Sequence, residues 1–293
     1  MQAGAGGCGM KALKPLLLAA VLAAGSVNAA EQKPPQRLVA AGGAVTEIIY
    51  ALGLGDRVVG SDISSLWPEE VKRLPRIGYL RTLSAEGILA LRPDLLVTTP
   101  EAGPPAALEH LRAGHVRIET IPGGFTPESV EIKLTRVAEA LDQPERGRQL
   151  VGSFRTEWDE TRAAIGKLPG NPRVLFVLAH TGGSPMVAGR NTAADAMIRL
   201  ARAENAGAAF DGYKPLTAES AAMASPDVIL ITDEGVQELG GLQSLWSNTA
   251  LSLTPAGKHR RAVSMDSLYL LGFGPRLPAA VRDLAARLRV PSP

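Results

Sequence analysis

The sequence predicts an α/β protein built as two lobes with mainly parallel sheets, joined by one long helix. Short β-branched runs alternate with helix-like stretches, the signature of parallel strands linked by crossover helices. One local pattern occurs twice. Leu83-Ser84-Ala85-Glu86 leads to Pro93-Asp94-Leu95 and an apolar run ending at Thr99; Leu216-Thr217-Ala218-Glu219 leads to Pro226-Asp227-Val228 and a run ending at Thr232. All matched residues lie 133 positions apart, and with a one-residue slip Gly78-Tyr79 pairs with Gly212-Tyr213. Pro-Asp turns between helix and strand recur in unrelated α/β chains. A match at this many positions with one offset reads instead as two related half-chains facing a shared cleft.

In chain order, the first half holds strand patterns at Arg37–Ala41, Val58–Ser61, Leu95–Thr99 and Arg117–Ile121. Helix patterns separate them at Val45–Leu52, Ser84–Leu91 and Pro105–Ala113. From residue 127 to 167 charges recur and no strand pattern is found. Pro144 can open a helix there, and Pro169-Gly170-Asn171-Pro172 stops it. Roughly 22 residues at 1.5 Å each span about 33 Å, long enough to cross between lobes and stiffer than a Gly/Ser linker. The second half follows with strands Val174–Leu178, Val228–Ile231 and Ala262–Met265, and helices Thr192–Arg202, Ala218–Ala224 and Pro278–Leu288. The expected division is a leader over 1–30, a first lobe over 36–143, a linking helix over 144–168 and a second lobe over 172–293.

Lys11 and Lys14, the apolar stretch Pro15 to Ala24 and small residues through Ala30 form the pattern of a cleaved secretory signal. The apolar run is shorter than the ~20 residues that span a bilayer. Cys8, the only cysteine, precedes that run, so neither a lipid anchor nor a disulfide is expected. Without Lys11 and Lys14 the 31 basic residues fall to 29, equal to the 29 acidic ones. No basic stripe argues for nucleic acid, and no second long apolar segment argues for a membrane span after cleavage. Gly4-Ala5-Gly6-Gly7-Cys8-Gly9 has the spacing of a dinucleotide-binding loop but follows no strand.

No Gly-x-Ser-x-Gly elbow, phosphate loop or His-Glu-x-x-His pair is present. Of the four histidines, His110 and His115 lie among charges and His259 lies in a basic turn. His180 ends the apolar run Val174–Ala179, at the carboxyl edge where open α/β sheets bind ligands; a structural histidine fits that place equally. Tyr79 lies in a Gly-containing loop before a capped helix, and loops on rigid scaffolds carry binding groups. A phenolate suits ferric iron and tyrosine is a haem ligand, while Arg81 can pair with a carboxylate through its planar fork. A tyrosine packed on the lobe surface beside an exposed arginine fits the same spacing. Tyr213 occupies the matching loop of the second half, and Arg190 precedes a helix from which it can reach an anion or simply face solvent.

The block Gly78-Tyr79-Leu80-Arg81-Thr82-Leu83-Ser84-Ala85-Glu86-Gly87-Ile88-Leu89 resembles the signature of periplasmic haem-binding proteins that serve bacterial haem ABC importers. Ala188–Ile198, Gly212-Tyr213-Lys214-Pro215-Leu216 and Met265–Arg276 are similar to further blocks of that family, so the resemblance covers essentially the whole mature chain. It departs at Leu200-Ala201-Arg202-Ala203-Glu204-Asn205-Ala206, where the family pattern has a Gly-Gly pair before Asn-Ala.

The resemblance implies a class III periplasmic binding protein: two Rossmann-like lobes joined by a helix, monomeric, periplasmic and not an enzyme. It implies haem b as the transported ligand, with Tyr79 on the iron, Arg81 on a propionate and His180 as a second-lobe ligand or the ligand of a second stacked haem. Arg190 and Tyr213 join them as expected cofactor-binding residues. It further implies docking to an inner-membrane ABC transporter permease through Glu86 and Glu219, acids that also suit the first turn of a helix. The alternatives are a cobalamin or iron–siderophore carrier of the same fold and a secreted metal-dependent hydrolase. A shortage of clustered ligating side chains weighs against the hydrolase.

Overall fold

Two sheets carry the fold. The computed structural model describes residues 34–179 and 185–290, together with 1 and 4–7. Most of the expected leader and all of residues 180–184, His180 included, lie outside the described residues. The first sheet holds β1 (Leu38–Ala40), β2 (Val58–Ser61), β5 (Leu95–Thr98) and β6 (Arg117–Thr120), all parallel, in the order β2-β1-β5-β6. Between β2 and β5 in sequence, β3 (Gly78–Tyr79) and β4 (Thr82–Leu83) form a separate antiparallel hairpin. The second sheet runs β10-β8-β7-β11-β12. Its β7 (Arg173–Leu178), β11 (Val228–Thr232) and β12 (Ala262–Met265) are parallel; β8 (Met186–Ala188) and β10 (Tyr213–Pro215) add an antiparallel edge, and β9 (Glu204–Asn205) pairs with the start of β7. That edge is not foreshadowed by the sequence pattern, because strands of two or three residues are too short to show a period.

The duplicated pattern has the same structural job in each lobe. Asp94 Oδ2 accepts from the N–H groups of Gln36 and Arg37, both at 2.8 Å, and the Asp94 N–H donates to the Arg37 carbonyl at 2.9 Å. Asp227 Oδ2 accepts from the Arg173 N–H at 2.9 Å, and its own N–H donates to the Arg173 carbonyl at 2.8 Å. Each aspartate thereby sets the starting register of two adjacent strands, β1 with β5 and β7 with β11. Ser84 and Thr217 cap the preceding helices, Ala85–Ala90 and Ala218–Ala224, by accepting from the N–H groups of Gly87 and Ser220 at 3.0 Å.

The charged middle of the chain forms two helices, Pro127–Ala140 and Pro144–Gly166. The first is opened by a Thr126/Ser129 capping box with Pro127 in its first turn. The second has 23 residues and packs on the first-lobe helix Pro127–Ala140 and on the second-lobe helix Leu277–Arg287. A Cβ at Gly147 would lie 2.5 Å from that of Ala138, so the close crossing requires glycine there. Further along, Phe154 and Ile165 are buried, and the Thr161 hydroxyl donates to the Pro278 carbonyl at 3.2 Å. One apolar cluster runs from Leu38 and Leu95 past Phe154 to Phe176 and Leu230, so the lobes share a core along this helix.

A polar junction completes the contact. Glu47, on the first-lobe helix Gly43–Ala51, is only 5% exposed and accepts both Nε, at 3.0 Å, and Nη2 of Arg276 from the second lobe. The guanidinium also lies 4.7 Å from the Trp67 ring centroid and 4.9 Å from that of Tyr269. Burial pushes the Glu47 carboxyl above its usual range, an effect that Arg276 opposes. Replacing Arg276 by Met leaves a buried carboxylate without its partner, at a cost of roughly 3 kcal/mol. Falling pH neutralises that carboxylate, so the loss measured by urea unfolding should be largest near neutral pH and shrink as the pH falls.

Candidate functional site

Two loops hold the β3–β4 hairpin through three backbone hydrogen bonds. The Ile63 N–H donates to the Gly78 carbonyl at 2.9 Å, the Gly103 N–H to the Leu80 carbonyl at 3.0 Å, and the Leu83 N–H to the Gly103 carbonyl at 2.7 Å. Gly78 has φ +96°, and a Cβ there would lie 2.6 Å from the Thr82 carbonyl oxygen, so only glycine suits the start of this hairpin. Its bonds to loops that follow β2 and β5 place it at the carboxyl edge of the first sheet, where open α/β sheets bind ligands. Tyr79, expected in a loop, is therefore in a short strand.

Beneath the hairpin, fully buried Asp62 organises the loop that carries Ile63. Its carboxylate accepts from the N–H groups of Gly42 at 2.9 Å and Ser64 at 3.0 Å, from the Ser65 hydroxyl at 2.6 Å, and from the Ser64 hydroxyl. Arg76 clamps the same loop by donating to the Asp62 and Ser65 carbonyls at 2.9 and 3.2 Å. On this base, Tyr79 is 43% exposed, Ile63 52% and Trp67 47%. Neither the Tyr79 hydroxyl nor the exposed Arg81 guanidinium has a hydrogen-bond or ion-pair partner among the described residues. Ile63 and Trp67 were not singled out from the sequence. Their signal is a large apolar side chain in a polar loop after a strand, which becomes informative once its exposure is known.

The second-lobe residues sit differently. β10 places Tyr213 opposite Ala188, whereas Pro215 is the residue beside Met186 and, through it, the carboxyl end of β7. Tyr213 is 38% exposed, close to the 43% of Tyr79; burial of its hydroxyl pushes the pKa up, an effect that Thr192 opposes. Arg190 Nε donates to Asp211 Oδ1 at 3.0 Å, and its carbonyl accepts from the Gly212 N–H at 2.9 Å. Tyr79 and Arg81 thus share one hairpin, and Arg190 and Tyr213 share one sheet edge. No hydrogen bond or ion pair among the described residues joins the two pairs. Asp211, the partner of Arg190, was missed because the pairing depends on a backbone bridge between residues 190 and 211. Glu86 and Glu219 are both exposed in the first turns of their capped helices.

A family model described as Periplasmic binding protein matches residues 38–269. The chain belongs to that family. It is a periplasmic binding protein, a transport component and not an enzyme. The periplasmic haem-binding protein BhuT, solved in complex with two haems, is 48% identical, with a TM-score of 0.82 over 86% of this chain and 97% of that one. The periplasmic haem-binding protein RhuT from Roseiflexus sp. RS-1, solved in apo form, is 41% identical, with a TM-score of 0.84 over 86% of this chain and 97% of that one. A vitamin B12-binding protein of Vibrio vulnificus (strain CMCP6) is 27% identical over 94% of this chain and 96% of its own length. The two-lobed α/β architecture agrees with these neighbours. Among the described residues of this periplasmic binding protein, no helix is long and apolar enough to cross a membrane.

The hairpin's dependence on Gly78 is open to test. Gly78→Ala should cost about 1–3 kcal/mol, the range for a side chain forced into a strained backbone region. Chemical denaturation reads the loss, and hydrogen exchange should place it at residues 77–84 rather than in the sheet.

Proposed function

We propose that this binding protein captures haem in the periplasm and delivers it to an inner-membrane ABC transporter. Tyr79 supplies a phenolate to the ferric iron, and Arg81 pairs with a propionate. The observation that carries this reading is an exposed, unpartnered phenol on a pinned hairpin, beside an unpaired arginine and the exposed Ile63 side chain of the loop bonded to that hairpin. A porphyrin brings four nitrogen donors of its own, so one protein ligand is enough to hold its iron. A bare ion needs several protein ligands, and no group of three or more His, Cys, Asp or Glu that could hold one is found among the described residues. Apolar surface for the ring and a cation for its carboxylate are what a haem requires besides the iron bond. In this reading Tyr213 keeps its proton and acts as a wall of the site, His180 remains the candidate for a second haem or axial ligand, and Arg190 serves through the groups that its pairing with Asp211 leaves available.

A cobalamin carrier is the second reading, favoured by relatives named as vitamin B12-binding proteins. Hemin titration followed by visible absorption separates the two. The wild type should show saturable binding with a ferric-tyrosinate spectrum, Tyr79→Ala should lose that spectrum, and Arg81→Gln should weaken binding by about tenfold, as expected for one charge-assisted contact. Saturable cyanocobalamin binding without a Soret change on hemin addition would transfer the assignment to the second reading.

Docking is tested apart from cargo. Glu86→Lys and Glu219→Lys should leave the hemin spectrum of the protein unchanged while abolishing its stimulation of ATP hydrolysis by the transporter in nanodiscs. Full stimulation by both variants would remove these two acids from the docking surface.

A further inference from the structure

The second lobe holds a concavity of about 640 Å³ that the proposed haem site does not use. It lies between the β7–β8 face, the turn 206–210 and the helix Ala218–Ala224, and its size is that of a small-molecule site. Leu175, Val187 and Ala206 form a buried apolar floor, Phe210 and Leu216 stand as walls, and Met223, 73% exposed, forms the lip. Neither Tyr79 nor Tyr213 lines it. Strand alternation sends Lys214 to the opposite face of β10 from Tyr213.

Two cations line this cavity, and they differ. Arg173 is paired with Glu204 and donates to the Ala224 carbonyl at 3.0 Å, so it is committed to structure. Lys214 has no ion-pair partner among the described residues; its Nζ lies 5.1 Å from the centroid of the Phe210 ring. An ammonium over an aromatic face keeps N–H groups to donate elsewhere. Glu204 places negative charge at the Arg173 end, which leaves Lys214 as the place for an anion. Pro215 lacks an N–H, so the edge strand beside the cavity is poorly suited to accept an added strand.

We propose that this cavity is a second ligand site, for a small amphipathic carboxylate. The carboxylate sits at Lys214, and the apolar body covers Leu175, Val187 and Phe210. One unpaired ammonium matches one carboxylate as a point charge, and the floor contains enough apolar surface for a medium chain or a single ring.

Decanoate is the probe, titrated calorimetrically into the wild type, Lys214→Gln, Ala209→Trp and Tyr79→Ala. Ala209 lines the cavity but is exposed, so an indole there fills the mouth without entering the core. The expected result is one saturable site in the wild type, about tenfold weaker in Lys214→Gln, absent in Ala209→Trp and unchanged in Tyr79→Ala. Hemin binding by Ala209→Trp should equal that of the wild type. No saturable binding to the wild type, equal binding by all four proteins, or loss in Tyr79→Ala would each overturn the assignment; the last would place decanoate in the cleft instead.

Discussion

The relation between the lobes depends on four residues, Phe273 to Arg276, which the second lobe inserts into the first. Arg276 meets Glu47 in a bidentate pair, with the Trp67 and Tyr269 rings both close to the guanidinium. At the other end of the segment, buried Lys133 donates to the Phe273 carbonyl at 3.0 Å and the Gly124 carbonyl at 3.2 Å, while the Phe273 ring packs against Phe125 at 5.3 Å. Burial lowers the Lys133 pKa to about 8 despite the opposing charge of Glu101, so the ammonium is held at a desolvation cost. A Cβ at Gly274 would come 3.1 Å from the Glu47 carboxylate, so the segment passes close to a buried charge at the one residue without a side chain. A buried ion pair is weak evidence for net stability but strong evidence for a specified geometry, since breaking it strands a charge. Here the specified geometry is the spacing of the two lobes.

That constraint and the long helix act together. The Pro144–Gly166 helix shares apolar core with both lobes, and the 273–276 segment adds polar contacts between them. Two such connections favour small adjustments over wide closure, and a rigid scaffold suits a site carried on loops. The first-lobe rim is built in the same manner. Asp62 is fully buried yet satisfied by four donors, and the loop it fixes holds Ile63 against the Tyr79 hairpin. Binding to such a preformed rim costs little ordering of side chains.

Much of this was legible in the sequence, for a physical reason. Asp94 and Asp227 recur because a carboxylate bonding to the first strand's N–H groups sets register in both lobes, and Ser84 and Thr217 recur because a helix needs a cap. Such local chemistry leaves fixed spacings. The antiparallel edge of the second sheet left none, since β8, β9 and β10 are two or three residues long and are stabilised by backbone pairing. The helix Pro127–Ala140 carries a capping box, but its polar exposed face hides the period of Val130, Leu134 and Val137. The Glu47–Arg276 pair joins residues 229 positions apart, and no local pattern in either segment announces it. Tyr79 and Arg81 are candidates by their neighbours in sequence, whereas the exposure of Ile63 and Trp67 becomes visible only in the structure.

The two tyrosines of the repeat show why similar sequence need not mean similar chemistry. Both follow a glycine with positive φ, and both lie in a short antiparallel strand. Tyr79 has no hydrogen-bond partner for its hydroxyl among the described residues, whereas burial raises the Tyr213 pKa, with Thr192 opposing. An iron ligand must shed its proton, and the burial that raises the Tyr213 pKa works against that. On the reading proposed above, the iron is therefore held chiefly from the first lobe. A cargo bound mainly by one lobe can leave when a partner draws the other aside by a small amount, which matches a junction that resists large motion. On that reading, the duplicated half-chain supplies two similar supports, and differences at a few side chains give one of them the ligand.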